Sequence, residues 1–425
     1  MSGRRKIVVA VLVAGIIGLL LVIGLVASGL LLCERVGRRV HEASAEGRTP
    51  LVAQAERIAS ALDLPTGQAG AAPAETRPLA ERRREAMDRG AAYLIASQGQ
   101  DGSWGEGNVG ITALCAQALL AAGKTVADPA VRRAVELLVA AQKEDGGIYG
   151  DVGLKTYTTS IALMVLLKAD PARQGVAVAS PAAYAGPIEK AKAYLIKNQW
   201  DENESIDQTN PWYGGHGYGQ HERPDLSNTQ YFVEAMHEAG VPKDHPLWKK
   251  VTVFVSRSQD LSESNDRTFV GTDSGGMVYA PVGGGESKAG TVDLPDGRKG
   301  LKAYGSMTYA GFKSFIYANL APNDPRVQAA MDWIRRHWTF EENPELGPQG
   351  LYYYYQTAAK ALSAWGEDTV LDARRRPHDW RTELSEAILR RQRPDGSWLN
   401  EADRWYEGYP PVPTSYALIA LAACQ

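Results

Sequence analysis

Cysteine is scarce. The chain has 425 residues and three Cys, at positions 33, 115 and 424, which rules out a disulfide framework. An excess of positive charge is also absent. Lys and Arg number 46 against 49 Asp and Glu, for a formal net charge of −3. With a sequence pI near 6.2, that argues against nucleic-acid binding. The composition has no disordered or collagen-like bias. Hydrophobic residues make up 44% and charged residues 22%, which is ordinary globular usage. Glycine alone is in mild excess, at 43 residues against a usual share of ~7%, and it belongs in turns and close approaches.

The first feature present is one long uncharged run. Arg4, Arg5 and Lys6 precede residues 7–33, a run of 27 residues without a charge. As a helix it would be about 40 Å long at ~1.5 Å per residue, more than the roughly 20 residues a span needs. A secretory signal has a shorter apolar region. Leu30, Leu31 and Leu32 also lack the small residue expected just before a lipoprotein cysteine at Cys33. Residues 1–33 therefore read as an uncleaved N-terminal transmembrane anchor. Arg35, Arg38 and Arg39 balance the charges on the other side, so the positive-inside rule barely chooses. We expect a single-pass membrane protein with its body outside the cytoplasm. Residues 34–78 read as a helical stalk and a Pro/Gly/Ala-rich linker, and residues 79–425 as the folded body.

The body repeats itself. Gln98 is followed by Asp101-Gly102-Ser103-Trp104, and Gln392 by Asp395-Gly396-Ser397-Trp398. Gln142 leads to Asp145-Gly146-Gly147, and Gln199 and Gln259 end similar apolar segments. Trp338 stands where a sixth Gln is expected. After each anchor comes a Gly-rich turn and a second helix, predicted at 111–122, 157–169, 226–239, 307–320, 353–365 and 414–424. The second helices are apolar nearly all round, which means burial on all sides, whereas the first are amphipathic. Most second helices carry Thr in the first turn: Thr112, Thr159, Thr229, Thr308, Thr357 and Thr414. Six outer and six inner helices predict closure into a double ring, because an open row would leave two apolar ends uncapped.

The Gln-x3-Gly-x-Trp spacing resembles the QW repeat of squalene and oxidosqualene cyclases and of the related protein prenyltransferase β-subunits. The resemblance covers about residues 85–425. It implies an all-α fold, an (α/α)6 toroid of six helical hairpins with a central cavity. It also implies that Gln98, Trp104, Gln142, Gln392 and Trp398 are structural. Cyclases of that group use an Asp-x-Asp-Asp acid, and no such motif occurs here; Asp293 and Asp296 form the nearest pair. The prenyltransferase zinc ligands would fall on Tyr304, Ser306 and Gln356, and no Cys lies between 116 and 423. The chain thus lacks both known catalytic sets, and neither metal nor cofactor is expected.

Three regions are candidates for function. In 212–228, His216, His221 and Asp225 have the chemistry of a metal or acid/base set. The plainer reading makes Asp225 a helix cap and the histidines loop residues. The connection 260–305 is long enough to be a lid or an inert insertion, and it holds the weak catalytic candidate Asp273. Tyr304, Ser306, Tyr309, Tyr354 and Gln356 fall near the predicted cavity mouth and suggest a pocket for an apolar ligand, or plain packing between helices. We expect the cavity to bind a lipid or isoprenoid, without nucleic acid and with no protein partner named. If the chain is an enzyme, the resemblance implies a terpenoid cyclase or prenyltransferase-like activity. The alternatives are a non-enzymatic interaction scaffold and a glycan-directed enzyme.

Overall fold

Amphipathic and all-apolar segments sort into two concentric layers. In the computed structural model, residues 77–170, 184–219 and 222–425 are described. The anchor 1–33, the stalk and linker up to residue 76, and His221 lie outside the described residues. Among the described residues, twelve α-helices form six hairpins. They are α1 (Leu79–Ala96) with α2 (Val109–Ala121), α3 (Pro129–Ala140) with α4 (Lys155–Ala169), and α5 (Ala185–Lys197) with α6 (Leu226–Glu238). Then come α7 (Leu247–Arg257) with α8 (Gly305–Tyr317), α9 (Pro325–Arg336) with α10 (Leu351–Trp365), and α11 (Trp380–Leu389) with α12 (Pro411–Ala423). Two small antiparallel hairpins are added, β1 (Thr291–Asp293) with β2 (Lys299–Leu301) and β3 (Thr369–Leu371) with β4 (Pro377–Asp379). Among the described residues, no helix is long and apolar enough to cross a membrane.

The odd-numbered helices are outer. On α3, Ala130, Val131, Ala134, Val135 and Leu138 are buried and Arg132, Arg133 and Glu136 are exposed, the single stripe of an amphipathic helix. The even-numbered helices are inner. On α2 every residue from Thr112 to Leu119 is buried. Each inner helix packs on the next, and α12 returns to α2. The outer ring closes at the same seam. Arg82 of α1 forks onto Glu386 of α11 at 2.6 and 2.7 Å, and Arg83 donates to Ser385 Oγ and to the Cys424 carbonyl. The body is therefore a closed, all-α double ring.

One backbone device recurs around it. At the end of an outer helix, a Gln amide donates both to its own turn and to the start of the next outer helix. Gln98 reaches Gly102 O and Ala130 O, each at 2.9 Å, and Gln142 reaches Gly146 O and Pro187 O. Gln199 reaches Gly214 O and Leu247 O. Gln259 reaches Gly275 O and Arg326 O. Gln392 crosses the seam to Ala86 O and also holds Gly396 O. Where Gln is missing, Trp338 Nε1 donates to Glu383 in the first turn of α11. The turn glycines 102, 146, 214, 275 and 396 all have positive φ, a backbone that only Gly adopts at little cost. Two residues further on, the amide nitrogens of Trp104, Ile148, His216, Met277 and Trp398 donate to the inner-helix threonine hydroxyls at 3.0–3.1 Å. The threonines thus clamp turns and do not cap helices.

Five inner helices start two or three residues earlier than expected, at Val109, Lys155, Gly305, Leu351 and Pro411. Gly and Pro in a first turn read as loop in the sequence, yet Pro suits the first helical position.

Candidate functional site

The first turns of the inner helices surround a cavity of about 270 Å³. Ile111 and Leu114 come from α2, Tyr157 from α4, Ser227 and Asn228 from α6, Ser306 and Met307 from α8, Tyr353 from α10, and Val412 and Tyr416 from α12. The Tyr157 and Tyr416 hydroxyls meet at 2.8 Å, and Tyr353 OH lies 3.0 Å from Ser227 Oγ. Behind them Tyr231 sits edge-on to Tyr157, with ring centroids 4.6 Å apart. The ring axis is therefore paved with tyrosine whose hydroxyls are mutually satisfied, as buried polar groups must be.

Loops complete the mouth with Val152, Leu154, Tyr218, Tyr279, Lys288, Trp405 and Tyr406. Val152, Tyr218, Trp405 and Tyr406 are 55%, 37%, 41% and 61% exposed, and they are four of the six exposed large hydrophobics among the described residues. This exposed apolar surface is gathered at one mouth of the cavity. Trp405 and Tyr406 also hold φ of 59° and 64°, a strained conformation for aromatic residues.

One corner of the cavity is polar. Asp225 is buried and caps α6, accepting from Asn228 N and Asn228 Nδ2, each at 2.8 Å. The Tyr279 hydroxyl, nearby, lies 2.9 Å from Tyr218 OH. Burial raises the Asp225 carboxyl to about 6, against the hydrogen bonds from Asn228 and the influence of the Tyr279 hydroxyl. At the rim Glu286 pairs with both Arg223 and Lys288. Asn228 Oδ1 is buried without a partner.

The sequence candidates divide. Tyr304 and Ser306 line the cavity, whereas Tyr309, Tyr354 and Gln356 do not. Tyr309 and Tyr354 pack on each other with centroids 5.6 Å apart, and Tyr354 OH donates to Thr339 O. Their neighbour Tyr353 faces the cavity instead, because one residue rotates a helix by about 100°. Gln356 is buried and donates to Tyr231 OH at 3.3 Å. His216 is fully buried, and its ring nitrogens have no partner. Its ring packs on Phe232 at 4.0 Å, and burial lowers its pKa to about 3. It occupies the repeat's Trp position and meets Asp225 through the backbone, Asp225 N donating to His216 O at 3.0 Å. Asp273 is an exposed turn residue with φ 47° that accepts from Ser262 N. The 260–305 connection is ordered around Asp260, which accepts from Gly271 N, Thr272 Oγ1 and Ser274 N. It gives the cavity Tyr279 and Lys288. Cys115 and Cys424 are buried free thiols.

Two features escaped the sequence reading. Glu407 is buried and caps α10, accepting from Tyr353 N at 2.8 Å and Asn400 Nδ2 at 2.6 Å; burial raises it to about 7. The missing cap at Gly350 was its only signal. Glu234 pairs with Lys313 and Lys360 between three inner helices. Burial alone would raise that carboxyl, but the two ammonium groups override it and hold it below the usual carboxylate range. Three charges on otherwise apolar helices were visible in the sequence.

No family model matches the chain, and no curated protein is similar to it. Solved structures are. A variant of the type II terpene cyclase MstE from Scytonema, in complex with its substrate geranylgeranyl dihydroxybenzoate, has a TM-score of 0.52 at 14% identity, over 82% of this chain and 98% of that one. The fold is terpenoid cyclase-like. A protein from Actinoplanes is similar at 18% identity, with a TM-score of 0.45 over 80% of this chain and 99% of that one. At such identities the likeness establishes the terpenoid cyclase-like fold alone. Among the described residues, no group of three or more His, Cys, Asp or Glu is placed to hold a metal ion.

Proposed function

We propose that this is a membrane-tethered member of the squalene-cyclase/prenyltransferase repeat superfamily whose cavity binds a hydrophobic, isoprenoid-class ligand. The single observation that carries the reading is the cavity wall, with seven tyrosines, Trp405 and five aliphatic side chains around one mouth. Such a surface gains most by taking apolar area out of water, about 25 cal/mol per Å², and aromatic faces suit unsaturated chains. A glycan-directed cleft is disfavoured, because among the described residues no free carboxylate opens into the cavity: Asp225 is buried as a helix cap and Glu286 is paired with Arg223 and Lys288. Zinc-dependent prenyl transfer is disfavoured too, since Tyr304, Ser306 and Gln356 are poor zinc ligands. For turnover, the fold likeness favours terpenoid cyclisation, without the Asp-x-Asp-Asp acid.

The test is extraction of the purified full chain with organic solvent, followed by mass spectrometry. The expected result is an isoprenoid at near one per chain, falling about tenfold in a Tyr304→Ala/Tyr353→Ala variant with unchanged helical content. An empty extract from protein purified with its native membranes, or recovery untouched by the substitutions, overturns the reading.

A further inference from the structure

We infer that Tyr157, Tyr231, Tyr353 and Tyr416 form the floor of the cavity and set the length of the chain it takes. They admit an apolar chain of roughly ten to fifteen carbons, apolar end first, and stop a longer one. The inference rests on the apolar-cavity reading and adds the size of the ligand and the end that enters.

The floor follows from which helices the tyrosines join. Each inner helix packs on its two neighbours, in the order α2, α4, α6, α8, α10, α12 and back to α2. The hydroxyls of Tyr157 on α4 and Tyr416 on α12 meet at 2.8 Å, although α2 stands between their helices. Tyr353 OH on α10 lies 3.0 Å from Ser227 Oγ on α6, although α8 stands between. Side chains that bridge non-adjacent helices of a ring must cross its lumen. Ring contacts close the figure. Tyr157 and Tyr231 have centroids 4.6 Å apart, Tyr231 and Tyr353 6.3 Å, and Tyr353 and Tyr416 5.8 Å. The four side chains thus make one continuous circuit across the ring axis.

That circuit is shallow and closed beneath. Tyr157 and Tyr353 are the third residues of their helices, and Tyr231 and Tyr416 the sixth. At ~1.5 Å per residue the floor lies within about 8 Å of the helix starts. Below it α4 is buried from Thr158 to Leu167 and α6 from Phe232 to Met236. A core packed this closely offers a chain no way through. At an interior packing density of about 0.75, a cavity of about 270 Å³ holds roughly ten to fifteen carbons. The floor also selects the end that goes in. Its hydroxyls are engaged, Tyr157 with Tyr416, Tyr353 with Ser227, and Tyr231 as acceptor from Gln356 Nε2. What they leave to the ligand is ring surface, which suits an apolar end.

Equilibrium binding of three hydrocarbons to the full chain in detergent tests this: β-myrcene, β-farnesene and β-springene, built of two, three and four isoprene units. Burying more chain tightens binding by up to roughly fourfold for each carbon, so affinity is expected to rise from the first to the second. At the third it should fall, by about tenfold or more. Tyr416→Ala takes a phenol ring out of the floor and should raise β-springene affinity about tenfold, while β-myrcene stays within about threefold. Tyr157→Leu, a milder change at a part-buried position, should shift the break in the same direction. Tyr416→Phe keeps the ring and should keep the break. Affinity that goes on rising through β-springene in the wild type overturns the floor and leaves the apolar cavity standing. So does a break that neither Tyr416→Ala nor Tyr157→Leu moves while helical content is unchanged. Failure of all three hydrocarbons to bind overturns the apolar cavity, and the floor with it.

Discussion

The third and the sixth turns of the ring share a backbone and differ in what fills it. In the sixth, Gln392 holds Gly396 O, Gly396 has φ 89°, and the Trp398 indole donates to Ile388 O at 2.9 Å. In the third, Gln199 holds Gly214 O and Gly214 has φ 85°, but the next buried ring is His216, with neither nitrogen bonded. Both turns donate a backbone N–H to an inner-helix threonine at 3.0 Å. The constant parts are thus the Gln and the left-handed Gly. The aromatic position accepts Trp, Ile, His or Met, because it needs only volume against the adjacent helices. A repeat recognised by its Trp looks half lost in this chain, whereas by Gln and Gly it is present in five turns out of six.

The largest expected effect separates the two turns by their glycines. A Cβ on Gly214 would lie 1.8 Å from Lys250 O, and one on Gly396 would lie 2.6 Å from Arg89 O. Gly240 also has positive φ, 70°, but meets nothing within 4 Å. Gly240→Ala should therefore cost about 1 kcal/mol for backbone strain alone. Gly396→Ala should cost more, and Gly214→Ala the most, on the order of 4 kcal/mol or loss of folding. Denaturant midpoints rank them. A Gly214→Ala protein as stable as Gly240→Ala would show that the outer helices do not approach this closely.

A smaller effect separates the two glutamines. Gln199 is 1% exposed and Gln392 is only part-buried. Leucine at either position removes two hydrogen bonds and leaves the turn carbonyl, Gly214 O or Gly396 O, without its Gln donor. Water can reach that carbonyl at the seam but not in the third turn, so Gln199→Leu should cost about 2–3 kcal/mol and Gln392→Leu about 1. Equal losses would mean that the seam is as dry as the rest of the ring.

This contrast also marks what the sequence could say. The hairpins, the two layers and the closure were legible because burial writes one apolar stripe into the outer helices and leaves the inner ones apolar nearly all round. His216 was not, because a buried imidazole at a packing position and a catalytic imidazole look alike in a Gly-rich stretch. Tyr353 and Tyr354 were confused for a related reason: the helix phase was anchored two residues late, and that turns one face into another. Tyr218, Tyr279, Lys288 and Trp405 lie in loops, where no periodicity reports which side chain meets which. Asp225 kept the capping role that its place before an apolar run suggested, and its contact with Tyr279 needed coordinates.

The smallest effect at neutral pH, and the sharpest, comes from putting the fourth turn's residue into the third, His216→Met. Met277 already fills the equivalent position, buried, and Met has the flexibility to adapt to the Phe232 face. Above pH 7 the two proteins should differ by less than about 1 kcal/mol, since volume is conserved. Below that they should part. Burial lowers the folded imidazole to about 3, while in the unfolded chain it titrates near ~6.5. Between those values the unfolded state binds the extra proton, so wild-type stability falls as pH drops through 6.5, by about 1.4 kcal/mol per unit. Asp225 and Glu407, raised by burial to about 6 and about 7, lose stability in the opposite sense as pH rises. They are common to both proteins and cancel in the difference. At pH 5 the Met variant should therefore lead by about 2 kcal/mol. Parallel curves would mean that the imidazole keeps a proton or a partner in the folded ring, and the third turn would return from packing to chemistry.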